Sequence, residues 1–242
     1  MIRSRAIGGL PEVQPGDDLA ALIAAAEPGL EAGDVVVIAH KVVSKAEGRI
    51  RVLADIEPGA EARALAPKLH KDARQVQAVL DESAEILRDE RVLICRTRHG
   101  FVCANAGVDA SNAPPGCVIL LPEDPDASAR AIRAALPDRP AVVIADSFGR
   151  AWRVGQCDVA IGIAGVAAID DWEGRPDRSG RALHATAIAV ADEAAAAADL
   201  ARAGKDAGEP VVVVRGLERF VGKDDGPGAS VLVRQREEDL FR

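Results

Sequence analysis

The stretch AVVIADSFGRAWR, residues 141–153, decides how the rest of the chain is read. Five apolar residues, Ala141 to Ala145, end abruptly in Asp146-Ser147; Gly149 permits a turn, and Arg150 and Arg153 follow. A short apolar run bounded by polar residues reads as a buried strand. Such a strand delivers a carboxylate and a hydroxyl at its C-terminal end, with two guanidinium groups beside them. Asp and Ser offer the hard oxygens that Mg²⁺ or Mn²⁺ prefers, and Arg offers planar donors for phosphate or carboxylate. The plainer alternative is a strand that leaves the core through a polar turn.

Working outward, VVVIA (35–39), VLIC (92–95) and VVVV (211–214) read as further buried strands, and CVILL (117–121) as another that runs into the acids of PEDPD. Helices are predicted after Pro15-Gly16, where Asp17 can cap a face of Leu19, Leu22, Ile23 and Ala26, and over 60–70. Another is predicted over 72–88, capped by Asp72 with Glu82 and Glu85 toward solvent, and another over ASARAIRAAL. A long Ala-rich helix is predicted over 183–203, with Gly204 as its stop. Strands and helices mix without a strict βαβ rhythm. A GxGxxG fingerprint and a Walker A sequence are both missing, so the reading is an α+β fold with mixed sheets, neither Rossmann nor P-loop. Gly155, Gly162 and Gly165 suit tight packing or bulges. The 242 residues suit a single domain, with two intimately associated lobes as an option and a flexible segment at 222–230.

Composition narrows the class. With 48% hydrophobic but only 2% aromatic residues, the core has to be built from Ala, Val, Leu and Ile. A net charge of −8 argues against a nucleic-acid surface and leaves room for a local basic pocket. Cys95, Cys103, Cys117 and Cys157 form no CxxC pair; Cys95 and Cys117 read as small core residues, and zinc is not expected. The N-terminus lacks a signal-peptide core and no apolar span suits a membrane, so a soluble, cytoplasmic protein is expected.

The predicted counterpart of Asp146-Ser147 is VCANAGVDASN (102–112), a rigid-looking loop that gathers Asn105, Asp109, Ser111 and Asn112; ordinary Asx turns explain any one of these alone. After the 35–39 strand, His40-Lys41 and VVSKAEGRI (42–50) read either as a solvated edge strand or as a phosphate-reading loop. His99 reads as a surface residue rather than a ligand. Together with Lys41, Lys45, Arg150, Arg153 and the glycine-containing 204–208 segment, Asp109, Asp146 and Ser147 suit an enzyme that handles metal-bound phosphate.

SKAEGR (44–49), QAVLDES (77–83), NAGVDASN (105–112), DSFGRAWRVG (146–155), AIGIAG (160–165) and PVVVVRG (210–216) resemble, in order, the coenzyme F-420 gamma-glutamyl ligases. The resemblance runs from about Gly8 to Gly216. It implies a homodimeric enzyme of mixed α and β fold that adds L-glutamate to the deazaflavin precursor F-420-0. GTP would be the co-substrate, with Mg²⁺ or Mn²⁺ and K⁺ as cofactors, an acyl phosphate as intermediate, and GDP and phosphate as products. By motif, Asp109 and Asp146 would bind one metal and Ser147 would help hold a second. GTP would meet Gly9, Leu10, Pro11, Glu12, His40, Lys41, Lys45 and Asn112. The segment Gly204, Lys205, Asp206, Ala207, Gly208 and Glu209 would complete that site. The charge of Arg150 and Arg153 suits a phosphodiester or carboxylate substrate. This chain has His40-Lys41 where some relatives carry Ser-Thr, and Lys205 where some carry Glu or Gln near the second metal. Some bacterial relatives carry a C-terminal flavin-binding domain; this chain ends at Arg242, so that domain's activity is expected from another protein. The alternatives are a glutamyl ligase acting on a methanofuran-type or pterin-type cofactor, and a nucleotide-binding homologue without turnover.

Overall fold

The apolar runs become the centre of one sheet. In the computed structural model, which describes residues 1–239, β2 (Val35–Ala39), β8 (Ala141–Arg150) and β12 (Val211–Arg215) lie side by side. They belong to a five-stranded sheet ordered β1-β12-β2-β8-β9, with β1 (Arg3–Ala6) and β9 (Arg153–Ala164) at its edges. Only β2 and β8 are parallel, aligned from Val35↔Ala141 to Ala39↔Ala145; the other pairs are antiparallel. Both faces are covered, so the central strands are continuously apolar rather than alternating. Val36, Ile38, Val142 and Ile144 pack toward α1 (Leu19–Ala26) and α5 (Pro125–Ala135). Val35, Val37, Val143 and Val212 pack toward α6 (Val190–Asp199), whose Ala191, Ala194, Ala195 and Ala198 let the backbones approach closely.

A separate core lies in the middle of the chain. It joins α3 (Ala60–Leu69) and α4 (Ala73–Glu82) to the three-stranded sheet β4 (Ser83–Arg88), β5 (Ile94–Thr97) and β6 (Val102–Ala104). The pair β3 (Ile50–Val52) and β7 (Cys117–Ile119) lies alongside, and α2 (His40–Ala46) leads from the large sheet into this region. The short pair β10 (Asp170–Asp171) and β11 (Ala187–Ile188) completes a mixed α and β fold.

The structure corrects several expectations. The 72–88 helix stops at Glu82: Ser83 Oγ turns back to Val79 O at 2.6 Å, and residues 83–88 pair with β5 instead. Strand pairing outweighs the helical spacing there. Glu82 is therefore buried and receives Arg49 Nη2 at 2.8 Å. Residues 40–46 form neither an edge strand nor a loop but α2, stopped by Gly48 at φ +70°. The Ala-rich helix spans only 190–199, because 187–188 pair with β10, so Gly204 does not cap it. The N-cap of α1 is Asp18, which accepts from Ala21 N, while Asp17 accepts from Gln14 N. Within 222–230, Asp225 accepts from buried Arg133, Gly222 N donates to Gly165 O, and Ala229 N donates to Asp126 Oδ1. Gly162 and Gly165 do allow close packing, since a Cβ at either would collide with Pro125 or Arg133.

The 141–150 strand also behaves differently from its reading. It does not turn at Gly149; it continues to Arg150, paired with β9 as far as Arg153, with irregularities at Ile144/Ala145 and Gly149/Arg150. The reversal falls at Ala151-Trp152, where Trp152 takes φ 62°. β9 supplies backbone partners for 146–150, so the polar residues ride on a strand rather than a loop.

Candidate functional site

Because β2 and β8 are parallel and Ala39 is aligned with Ala145, the residues that follow them emerge together. Ligands commonly bind beyond the carboxyl ends of such strands. A pocket of about 510 Å³ opens there, walled by the 10–13 turn, the start of α2, the 109–112 loop, β8 and β9 at 145–147, 156 and 158, and the 202–210 segment. The register sets His40 beside Asp146, with Nε2 3.3 Å from Oδ1. The approach lacks hydrogen-bond alignment, and the buried Nε2 has no other partner among the described residues. His40 Nδ1 lies 3.4 Å from Ser44 Oγ.

The 109–112 loop is fixed through Asp109. Asp109 exchanges two backbone hydrogen bonds with Ile119, at 3.0 and 2.8 Å. Its Oδ2 receives Lys41 Nζ at 2.6 Å and Ser111 Oγ at 2.7 Å, and its Oδ1 receives Ser111 N at 2.8 Å. Burial pushes the Asp109 carboxyl up, but the bonds from Lys41 and Ser111 outweigh it and hold it below the ordinary range. Asn105 serves this loop from behind: it accepts Lys71 Nζ at 2.8 Å, and the chain passes through positive φ at Asn105, Ala106 and Gly107. Burial lowers the Lys71 pKa, partly offset by the Asp109 charge. Asn112, also at positive φ, lines the pocket itself.

Three further cations, Lys45, Lys205 and Arg202, stand on the wall. Lys45, nearly buried, reaches Glu12 Oε1 at 2.5 Å. Lys205 Nζ lies 3.0 Å from Ser147 Oγ and 2.7 Å from Asp199 Oδ1. Ser147 Oγ donates to Asp158 Oδ1 at 2.5 Å, and Arg202 Nη1 donates to Asp158 Oδ2 at 2.6 Å. Asp158 is 3% exposed and the Arg202 side chain 8%.

Each cation on the pocket wall is paired with a carboxylate: Lys41 with Asp109, Lys45 with Glu12, Arg202 with Asp158 and Lys205 with Asp199. The metal-binding capacity of the pocket is uneven. Asp109 and Asp146 both open onto it, and Asp146 Oδ2 takes no hydrogen bond from the described residues. Those hard oxygens fit one Mg²⁺ or Mn²⁺ whose remaining ligands come from phosphate oxygens and water. No group of three His, Cys, Asp or Glu side chains among the described residues makes a metal cage by itself. At Ser147 the fit is poorer, since the hydroxyl is neutral and the flanking carboxylates Asp158 and Asp199 are already paired with Arg202 and Lys205.

A sequence profile of the F420-0:Gamma-glutamyl ligase family matches residues 9–216. The chain belongs to that family. It is 46% identical to the Coenzyme F420:L-glutamate ligase of Methanothermobacter thermautotrophicus, over 98% of this chain and 97% of that one. Proteins of the same name from Methanopyrus kandleri and Haloarcula marismortui are 45% and 42% identical, over 98% of this chain and 100% and 94% of theirs.

Of the residues singled out by resemblance to this family, Leu10, Pro11, Glu12, His40, Lys41, Lys45, Asp109, Asn112, Asp146, Ser147, Gly204, Lys205, Asp206, Gly208 and Glu209 line the one pocket. Gly9 and Ala207 neighbour it without lining it. Arg150 and Arg153 do not reach it: they stand at the tip of the β8–β9 hairpin, where Arg150 Nη2 donates to Val154 O at 2.7 Å. The reading missed Asp158, Gln156 and Arg202. Asp158 is set by its register opposite Ser147, which no local pattern reveals. Arg202 follows an Ala-rich helix with nothing in its surroundings to mark it.

Proposed function

We propose that this protein adds L-glutamate to the deazaflavin precursor F-420-0 in a GTP-dependent reaction. The observation that carries this reading is one pocket holding Asp109 and Asp146 together with Lys41, Lys45, Lys205 and Arg202. The names of the relatives supply the amino acid, and that of the family supplies the acceptor. The substrate carboxylate attacks the γ-phosphorus of GTP, forming an acyl phosphate and releasing GDP. The glutamate amine then attacks the acyl carbon, the C–O bond to phosphate breaks, and the amine loses a proton. Mg²⁺ or Mn²⁺ bound at Asp109 and Asp146 would lessen the charge that builds on the phosphoryl oxygens. Lys41 fixes Asp109 in its ionised form, and Lys45, Arg202 and Lys205 place positive charge around the polyphosphate. K⁺ and a homodimer are part of the same reading.

The test is a ligation assay with GTP, Mn²⁺, L-glutamate and F-420-0, read by mass spectrometry. The product should be heavier by a glutamyl residue, with GDP formed in step. GTP-dependent ligation to a different acceptor alone, or no GTP consumption with any acceptor, would overturn the assignment.

A further inference from the structure

The corner of the pocket between β8 and β9 already holds a positive charge of the protein's own. Lys205, carried in by the 202–210 segment, places Nζ 3.0 Å from Ser147 Oγ, 2.7 Å from Asp199 Oδ1 and 3.6 Å from Asp158 Oδ1. Ser147 gives its proton to Asp158, so its lone pairs face the ammonium. Asp158 Oδ2 is taken by Arg202, which also lies 3.4 Å from Asp199. Two carboxylates therefore face two cations, and the corner is electrically closed.

We propose that the Lys205 ammonium is a tethered cation standing in place of a second metal ion, so that the protein holds one divalent ion per bound nucleotide. The inference rests on the nucleotide-and-metal reading of the pocket. A Mg²⁺ ion needs oxygen ligands at about 2.0–2.1 Å in near-octahedral array. Ser147 Oγ is neutral and already accepts from an ammonium at 3.0 Å, so a divalent ion there would meet a like charge, whereas at the first position Asp109 and Asp146 bring two carboxylates against the single ammonium of Lys41. An ammonium has three donors. Ser147 and Asp199 use two, and 3.6 Å to Asp158 is too long for a hydrogen bond. The third donor is left for a ligand oxygen, which puts the Lys205 charge, on a side chain 66% exposed, within reach of the polyphosphate.

Removing that charge should reopen the corner. In Lys205→Gln, Asp158, Asp199 and Ser147 retain only Arg202 against two carboxylates, an environment that attracts a divalent ion. Titration of the full-length protein with Mn²⁺ in the presence of a non-hydrolysable GTP analogue, with free Mn²⁺ followed by electron paramagnetic resonance, counts bound ions. One tightly bound ion per chain is expected in the wild type and two in Lys205→Gln, the second lost again when Ser147→Ala is added. Lys205→Ala serves as a second variant if Gln impairs folding, which circular dichroism checks. Two ions in the wild type, or a single ion in both variants with nucleotide still bound, would overturn the tethered cation and leave the nucleotide reading standing. A wild type that binds neither nucleotide nor Mn²⁺ would overturn both.

Discussion

The two halves of β8 share one backbone and have opposite purposes. Ala141 to Ala145 are buried, held between β2 and β9 and covered on both faces. Asp146 to Arg150 keep only β9 as neighbour, because β2 has already given way to α2. The apolar half fixes the register; the polar half inherits it and presents carboxylate and hydroxyl at a defined place. A strand losing one neighbour midway gains an open edge without losing rigidity, and the pocket is built at that change.

The comparison can be broken from either side. Asp146→Asn keeps the shape and removes the charge, so turnover should fall by about 10³-fold or more, several kcal/mol of activation free energy. The far-ultraviolet circular dichroism spectrum and melting temperature should stay near those of the wild type. Near-normal GTP consumption in that variant would remove Asp146 from the chemistry. Two residues earlier the expectation inverts. Ile144 is fully buried, and Ile144→Ala should cost about 2–5 kcal/mol of stability through lost transfer free energy and cavity formation. Urea unfolding reads this directly. A loss of activity in Ile144→Ala at temperatures where it remains folded, without loss of stability, would show that the two halves are not divided as described.

The same division explains what the sequence disclosed. VVVIA, AVVIA and VVVV were legible because burial on both faces leaves an uninterrupted apolar run, which needs no tertiary knowledge. Residues 83–88 were not, because Ser83 and Leu87 continue the helical spacing of α4 while the segment is actually held by β5. Asp146, Ser147 and Asp109 stood out as polar groups interrupting apolar or glycine-rich surroundings. Asp158 looked like any polar residue on a strand; its role depends on lying opposite Ser147 and within reach of Arg202, 44 positions away. Pairing across such separations is set by tertiary structure, and no local period carries it.

The smallest effect concerns the loop that faces this edge. Asp109 is held below the ordinary carboxylate range because Lys41 and Ser111 outweigh its burial. A lowered folded pKa means that ionised Asp109 adds stability above its unfolded value, about 3.9, and that this is lost as pH falls through the folded value. In Lys41→Met the largest opposing bond is gone, so burial acts with less opposition and the carboxyl should titrate at higher pH. The wild type should then be the more stable protein at neutral pH, by about 1 kcal/mol or less, since the carboxylate side chain is 43% exposed and partly screened. That gap should close as pH falls from the higher folded pKa of the variant through the lowered folded pKa of the wild type, below which Asp109 is protonated in both folded proteins. Urea midpoints of the two proteins between neutral and acid pH measure it. A gap that stays constant across the range would mean that Lys41 acts through packing alone, and that the position of the loop does not depend on the Asp109 charge.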